Sequence, residues 1–138
     1  MANAYTGGCA CGAIHYEVTG EPIQMSDCQC RQCQHRSGTG HGSYLALLRT
    51  AVTAEGEAKR WDAAGDNGTV KSRAFCASCG SPVYKTFPAM PDIFVVHAAS
   101  LDDPTRYKPR QIIWAAAGHA WDRPDPAVPK FDRMPPRG

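Results

Sequence analysis

Phe75-Cys76-Ala77-Ser78-Cys79-Gly80 places two thiols three positions apart in a loop closed by glycine, and its reading decides the fold. Sulfurs at this separation can bite one metal ion from a single loop. The glycine behind the second lets backbone N–H groups turn toward the sulfurs. The loop reads as a zinc knuckle, which is half of a four-ligand site, so the other half must come from elsewhere in the chain. Two further groups are available, Cys9-x-Cys11 and Cys28-x-Cys30-x-x-Cys33, and they complete the seven cysteines of the 138 residues. Seven thiols divide into four, which close a structural zinc site, and three, which leave a catalytic zinc one open position. The odd count points to an enzyme.

A disulfide framework is the competing account of clustered cysteines, and it needs an oxidising compartment. Met1 to Gly8 lacks the apolar core of a signal peptide, and no stretch approaches the ~20 apolar residues that span a membrane. A cytoplasmic location is therefore expected, where thiols stay free for metals. An odd number of cysteines would also leave one unpaired.

Length and composition indicate one domain over residues 1–138, ending in an extended proline-rich tail over 122–138. Hydrophobic content of 43% and charged content of 20% are globular values, while 13 Gly and 11 Pro favour turns and short strands over long helices. The net charge of +2 is too small, and the basic residues too scattered, to predict a nucleic-acid surface. No membrane partner is expected either. Composition leaves the oligomeric state open.

Alternation of Ile14, Tyr16 and Val18 predicts a half-buried strand. Arg31 to Gly38 predicts a short helical turn closed by Gly38, and Ser43 to Leu48 a buried strand. Glu55-Gly56-Glu57 and Gly65-Asp66-Asn67-Gly68 read as hairpin turns, the second leading into a strand from Thr69 to Phe75. Pro82 to Phe87, Ile93 to Ala98 and Gln111 to Trp114 complete the strands. Successive antiparallel pairing is the economical arrangement. The prolines at 124, 126, 129, 135 and 136 predict a tail that runs over the surface without a regular element.

Spacing alone does not say which cysteine pairs combine, since Cys30-x-x-Cys33 with Cys76-x-x-Cys79 also satisfies a ribbon-like template. Joining Cys9 and Cys11 to Cys76 and Cys79 is the better partition, because Cys28, Cys30 and Cys33 then remain as a three-point set from one loop. Such a centre suits thiol chemistry: coordination lowers a thiol's pKa, so a small thiol in the vacancy is held as a nucleophilic thiolate.

Several motifs now converge. Gly8-Cys9-Ala10-Cys11-Gly12 is followed by Tyr16-Glu17-Val18, and Cys28-Gln29-Cys30-Arg31-Gln32-Cys33 by Ser37-Gly38. With Phe75-Cys76-Ala77-Ser78-Cys79-Gly80, Ser100-Leu101-Asp102-Asp103 and Pro129-Lys130-Phe131, the chain resembles the glutathione-dependent formaldehyde-activating enzyme (Gfa) family, whose domain also occurs in centromere protein V. The resemblance implies a mainly β fold, a β-tent of short antiparallel strands and long loops. It implies two zinc ions per chain: a structural one on Cys9, Cys11, Cys76 and Cys79, and a catalytic one on Cys28, Cys30 and Cys33. The implied activity is a carbon-sulfur lyase reaction, condensing glutathione or a related thiol with formaldehyde to an S-hydroxymethyl adduct. The alternative is a non-catalytic zinc-stabilised binding module of the centromere protein V type. Many members carry His where this chain has Gln29, a departure that bears on specificity more than on metal binding.

Other residues carry weaker signals. His35 and His41 are close enough in sequence to close the three-cysteine site as a fourth ligand. Arg31 and Arg36 could receive a glutathione carboxylate or be solvated surface groups. Asp27 is either a hydrogen-bond acceptor behind the zinc loop or a plain loop residue. His97 lies in an apolar run and reads as a hydrogen-bonded core histidine. Trp61, Trp114 and Trp121 read as packing residues before pocket residues. The expected proton donor to the developing alkoxide has no sequence signal.

Overall fold

A computed structural model describes residues 5–136. Among these the chain forms ten strands, one α-helix and several 3-10 turns, the expected mainly β class. Three strands, β1 (Tyr5–Gly8), β2 (His15–Val18) and β5 (Val52–Glu55), make a small antiparallel sheet in the order β1-β2-β5. The larger sheet contains β3 (Gln24–Cys28), β4 (Gly42–Leu48), β6 (Lys59–Ala64), β7 (Val70–Phe75), β8 (Pro82–Thr86), β9 (Ile93–His97) and β10 (Gln111–Ile113). Its order is β10-β3-β4-β9-β8-β7-β6.

Period-two alternation puts Tyr16 and Val18 of β2 inward and His15 and Glu17 outward. Together with Tyr5, Ile14 and Val52 they pack on Met25, Leu45, Leu47, Phe94 and Val96 from one face of the large sheet. Each such burial contributes roughly 1.5–3 kcal/mol, which makes this interface the main apolar core.

The opposite face of the large sheet holds a second, smaller cluster of Cys28, Cys33, Tyr44 and Val95. Across it β7, β8 and β9 align Arg73 with Lys85 and Lys85 with Val95, while Tyr44 of β4 pairs with His97 of β9. Arg73, Lys85 and His97 are all buried. Above this face lies α1 (Arg31–Ser37), which ends where the Gly38 N–H donates to the Gln34 carbonyl. The helix matches the expected helical turn at both ends.

Three features depart from the expected string of antiparallel hairpins. Glu55-Gly56-Glu57 does not join a hairpin, because β5 pairs with β2 in the small sheet and β6 with β7 in the large one. Gly56 adopts φ 97° there, and a Cβ would run into the Ala13 carbonyl, so the glycine serves a crossover between sheets. Strand β10 pairs with β3 in parallel, a long-range pairing that local turn signals do not encode. Strand β1 carries little apolar pattern beyond Tyr5 and was not expected; its register with β2 brings Gly8 opposite His15 and so delivers Cys9. The 65–68 turn does join β6 to β7, with Gly68 N–H donating to the Gly65 carbonyl.

Beyond β10 the described residues of the tail add no strand, yet they are tied down. Ile112 N–H donates to the Pro129 carbonyl and Phe131 N–H to the Ile112 carbonyl, both at 2.9 Å. No helix among the described residues is long and apolar enough to cross a membrane.

Candidate metal centres

Two loops meet to form the four-cysteine cluster. The first leaves β1, where Cys9 N–H donates to the Ile14 carbonyl and Gly12 N–H to the Cys9 carbonyl. The second leaves β7, where Gly80, at φ 77°, turns its N–H back to the Cys76 carbonyl at 2.9 Å. A hydrogen bond from Ala10 N–H to Ser81 Oγ, 3.2 Å, joins the loops directly.

The four sulfurs lie within 4.8 Å of one another, with Cys9 to Cys11 at 3.7 Å and Cys11 to Cys76 at 3.6 Å. A tetrahedral ion with metal–sulfur bonds of ~2.3 Å requires sulfurs about 3.8 Å apart. The measured separations fit that cage and are far too long for disulfides. Backbone amides already face the sulfurs: Ile14 N–H donates to Cys9 Sγ at 3.2 Å, and Ser78 and Cys79 N–H to Cys76 Sγ at 3.4 and 3.5 Å. Such donors favour the thiolate form that binds metal. Ser81 Oγ, 3.2 Å from Cys79 Sγ, leads the hydrogen bonds that hold the Cys79 thiol down to about 5.

The second cluster comes from one loop. Cys28 ends β3, Cys30 is the N-cap of α1, and Cys33 sits in the first helical turn. Cys30 is in extended conformation and its sulfur accepts the Cys33 N–H at 3.3 Å, the position a serine or aspartate oxygen takes in ordinary caps. The three sulfurs again lie within 4.8 Å of one another. Cys28 and Cys33 are buried and Cys30 is partly exposed, so any opening of this centre lies on the Cys30 side.

No histidine or carboxylate joins these three sulfurs among the described residues. The Nε2 of His35 lies 3.4 Å from Arg31 Nη2 on the exposed side of the helix. His41 is engaged on both sides, its Nδ1 2.9 Å from Asp122 Oδ2 and its Nε2 3.8 Å from Asp27 Oδ2. The histidine closure considered from sequence spacing does not form.

Beneath Cys33 lies an unusual floor. Arg73, 1% exposed, directs Nη2 at Cys33 Sγ across 3.8 Å, while its Nε and Nη2 both donate to Gln32 Oε1. Lys85, 7% exposed, sets Nζ 3.9 Å from the centre of the Tyr44 ring. Hydrogen bonds from the Cys28 and Cys30 thiols, with Lys85 adding its charge, hold Cys33 far below the ordinary thiol range, and the same sharing pushes Cys28 up. Burial draws Lys85 down to about 8, against the pull of the Cys33 charge, and leaves it a cation at neutral pH. His97 is drawn down to about 3 by burial and then by Lys85, so it is neutral.

The other candidates divide cleanly. Asp27 accepts from Ser43 Oγ and Tyr107 Oη, both at 2.7 Å, and braces the strand end that carries Cys28. Arg31 bonds to Gln34 and stays exposed, whereas Arg36 packs over the Phe75 ring at 5.4 Å. Gln29 turns away from the sulfurs: its amide donates to Asp122 Oδ2 at 3.1 Å and anchors the tail. Trp114 packs against the three-cysteine cluster; Trp61 and Trp121 are exposed. His97 packs edge-on against Tyr44 at 4.9 Å and lines a groove of about 680 Å³ with Cys9, Ser37, His41, Ser43 and Ser81. That groove starts at Cys9 and Ala10 beside the four-sulfur cluster and extends to Gly42 and Ser43 of β4; Cys28, Cys30 and Cys33 do not line it.

Sequence reading missed Arg73, Lys85 and Tyr44. A signal was present for Lys85: it occupies an inward register position between Val83 and Phe87, where an apolar residue is the rule.

A family model described as glutathione-dependent formaldehyde-activating enzyme matches residues 4–117, which covers both cysteine clusters. The chain belongs to this family. The family match ends before Pro129-Lys130-Phe131, so the tail segment lies outside it. Among solved structures, a crystal structure of a Rhodobacter sphaeroides protein is similar over 76% of this chain and 92% of that chain, with a TM-score of 0.54 and 22% identity. That likeness concerns the fold. Both clusters of this Gfa family member could hold metal ions, one with four sulfur donors and one with three.

Proposed function

We propose that the chain is a zinc-dependent carbon-sulfur lyase that condenses glutathione, or a related thiol, with formaldehyde to an S-hydroxymethyl adduct. In this reading Cys9, Cys11, Cys76 and Cys79 hold a structural zinc, and Cys28, Cys30 and Cys33 hold a catalytic one. The observation that carries it is the three-sulfur cluster itself, compact and without a fourth protein ligand among the described residues. Family membership supplies the substrate class.

A zinc ion bound there would lower the pKa of an incoming thiol. The residues do the rest. Cys30, partly exposed, leaves the approach to the cluster open, while Cys28 and Cys33 keep its inner side dry. The groove that ends at Gly42, the sheet partner of Cys28, falls in the size range of small-molecule sites. The sulfur adds to the aldehyde carbon, a C–S bond forms, and the carbonyl π pair becomes an alkoxide that takes up a proton. The proton released when the thiol ionises balances that uptake.

Glutathione and formaldehyde also combine unaided, so the test must be a rate. Exchange spectroscopy by NMR on an equilibrium mixture of the two is expected to show faster interconversion with wild-type protein than without it. An unchanged rate would reject the lyase and favour the binding-module reading.

A further inference from the structure

Arg73 and Lys85 have no carboxylate partner among the described residues, where the ion pairs formed are all between histidine and an acid. Two buried cations without counter-charge would be costly to the fold, so their counter-charge must come from the three-cysteine centre. Arg73 Nη1 and Tyr44 Oη are also buried without a hydrogen-bond partner, and both belong to side chains packed around Cys33. Their burial keeps them from touching a ligand, and they act through the field they set at the sulfurs.

Charge decides what the centre accepts. Three thiolates around a divalent ion carry one net negative charge, which balances one of the two cations. A thiolate at the remaining position makes it two and leaves Arg73 and Lys85 matched. A neutral ligand leaves one buried cation uncompensated, and Arg36, half-buried over Phe75, adds to the same positive side.

We infer that Arg73 and Lys85 are positioning residues that make the three-cysteine centre select an anionic ligand, a thiolate, over a neutral nitrogen or oxygen donor. The inference rests on the proposed reading that this centre holds a metal with an open position. It adds which residues set the preference. A packing role for Lys85 would affect all ligands alike, whereas a charge role separates them by charge.

The test uses cobalt-loaded protein, with ligand binding read from the visible absorption of the three-sulfur centre. The probes are 2-mercaptoethanol, which binds as an anion, and imidazole, which binds neutral. Lys85→Met is expected to weaken thiol binding roughly 10- to 100-fold, to leave imidazole binding within about threefold of wild type, and Lys85→Arg is expected to restore the thiol. Lys85→Gln, of similar length and uncharged, serves if the methionine variant does not fold. Equal weakening of both probes, or no change in either, would overturn the inference. Because the readout is binding, a failure of the lyase reaction in exchange measurements would leave this selectivity standing, and the reverse result would leave the reaction standing.

Discussion

Cys76→Ser is expected to abolish the folded state, detected as loss of dispersed amide resonances and of bound metal. Cys76 is buried at the junction of β7 and the knuckle, and two backbone N–H groups already donate to its sulfur. The four-sulfur cluster ties the loop after β1 in the small sheet to the loop after β7 in the large one. A structural zinc in such a module contributes on the order of 10 kcal/mol. A whole domain is stable by roughly 5–15 kcal/mol. Loss of one ligand therefore removes an amount comparable to the total. A strong chelator, given time, is expected to act in the same way.

Cys30→Ser should behave in the opposite sense: folded, yet without the second metal and with the rate acceleration reduced at least about a hundredfold. The contrast follows from what each sulfur does besides binding metal. Cys30 caps α1 by accepting the Cys33 N–H, and serine is among the best residues for that position. Its partial exposure means that little packing is lost. Cys33 is a poorer choice for this experiment. Its thiolate faces Arg73 and Lys85, and replacing it leaves two buried cations unmatched, which costs about 3–5 kcal/mol when one partner of a buried pair is removed. Thermal unfolding of the two variants checks the ranking: Cys30→Ser close to wild type, Cys33→Ser well below it. A Cys30→Ser protein with full acceleration would remove the three-cysteine centre from the mechanism.

Much of this was legible because cysteine spacing is local. A knuckle such as Cys76 to Gly80 and a cap such as Cys30 to Cys33 lie within a few residues, and so does the glycine turn at 65–68. What spacing could not supply was the pairing of loops 65 or more residues apart, seen in the 3.6 Å approach of Cys11 to Cys76. That depends on how two sheets pack, and the family resemblance carried it. The strand at β10 was legible, but its parallel pairing was not, for the same reason: its partner β3 lies more than 80 residues earlier in the chain. Gln29 shows the converse limit. Its place between two ligands bears on specificity, and only the folded structure shows that its buried side chain, just past the end of β3, donates to Asp122 of the tail. The cationic floor was overlooked because Arg73 and Lys85 come from separate strands, and only sheet register places them side by side.

The central claim is that one centre is closed and the other open. Metal content of protein purified without chelator, followed during mild chelation while folding is monitored by circular dichroism, tests it most directly. The account predicts two zinc ions per chain, one leaving readily with the fold intact and protected by added glutathione, the other retained. Two ions of equal inertness, or unfolding in step with loss of the first, would contradict it.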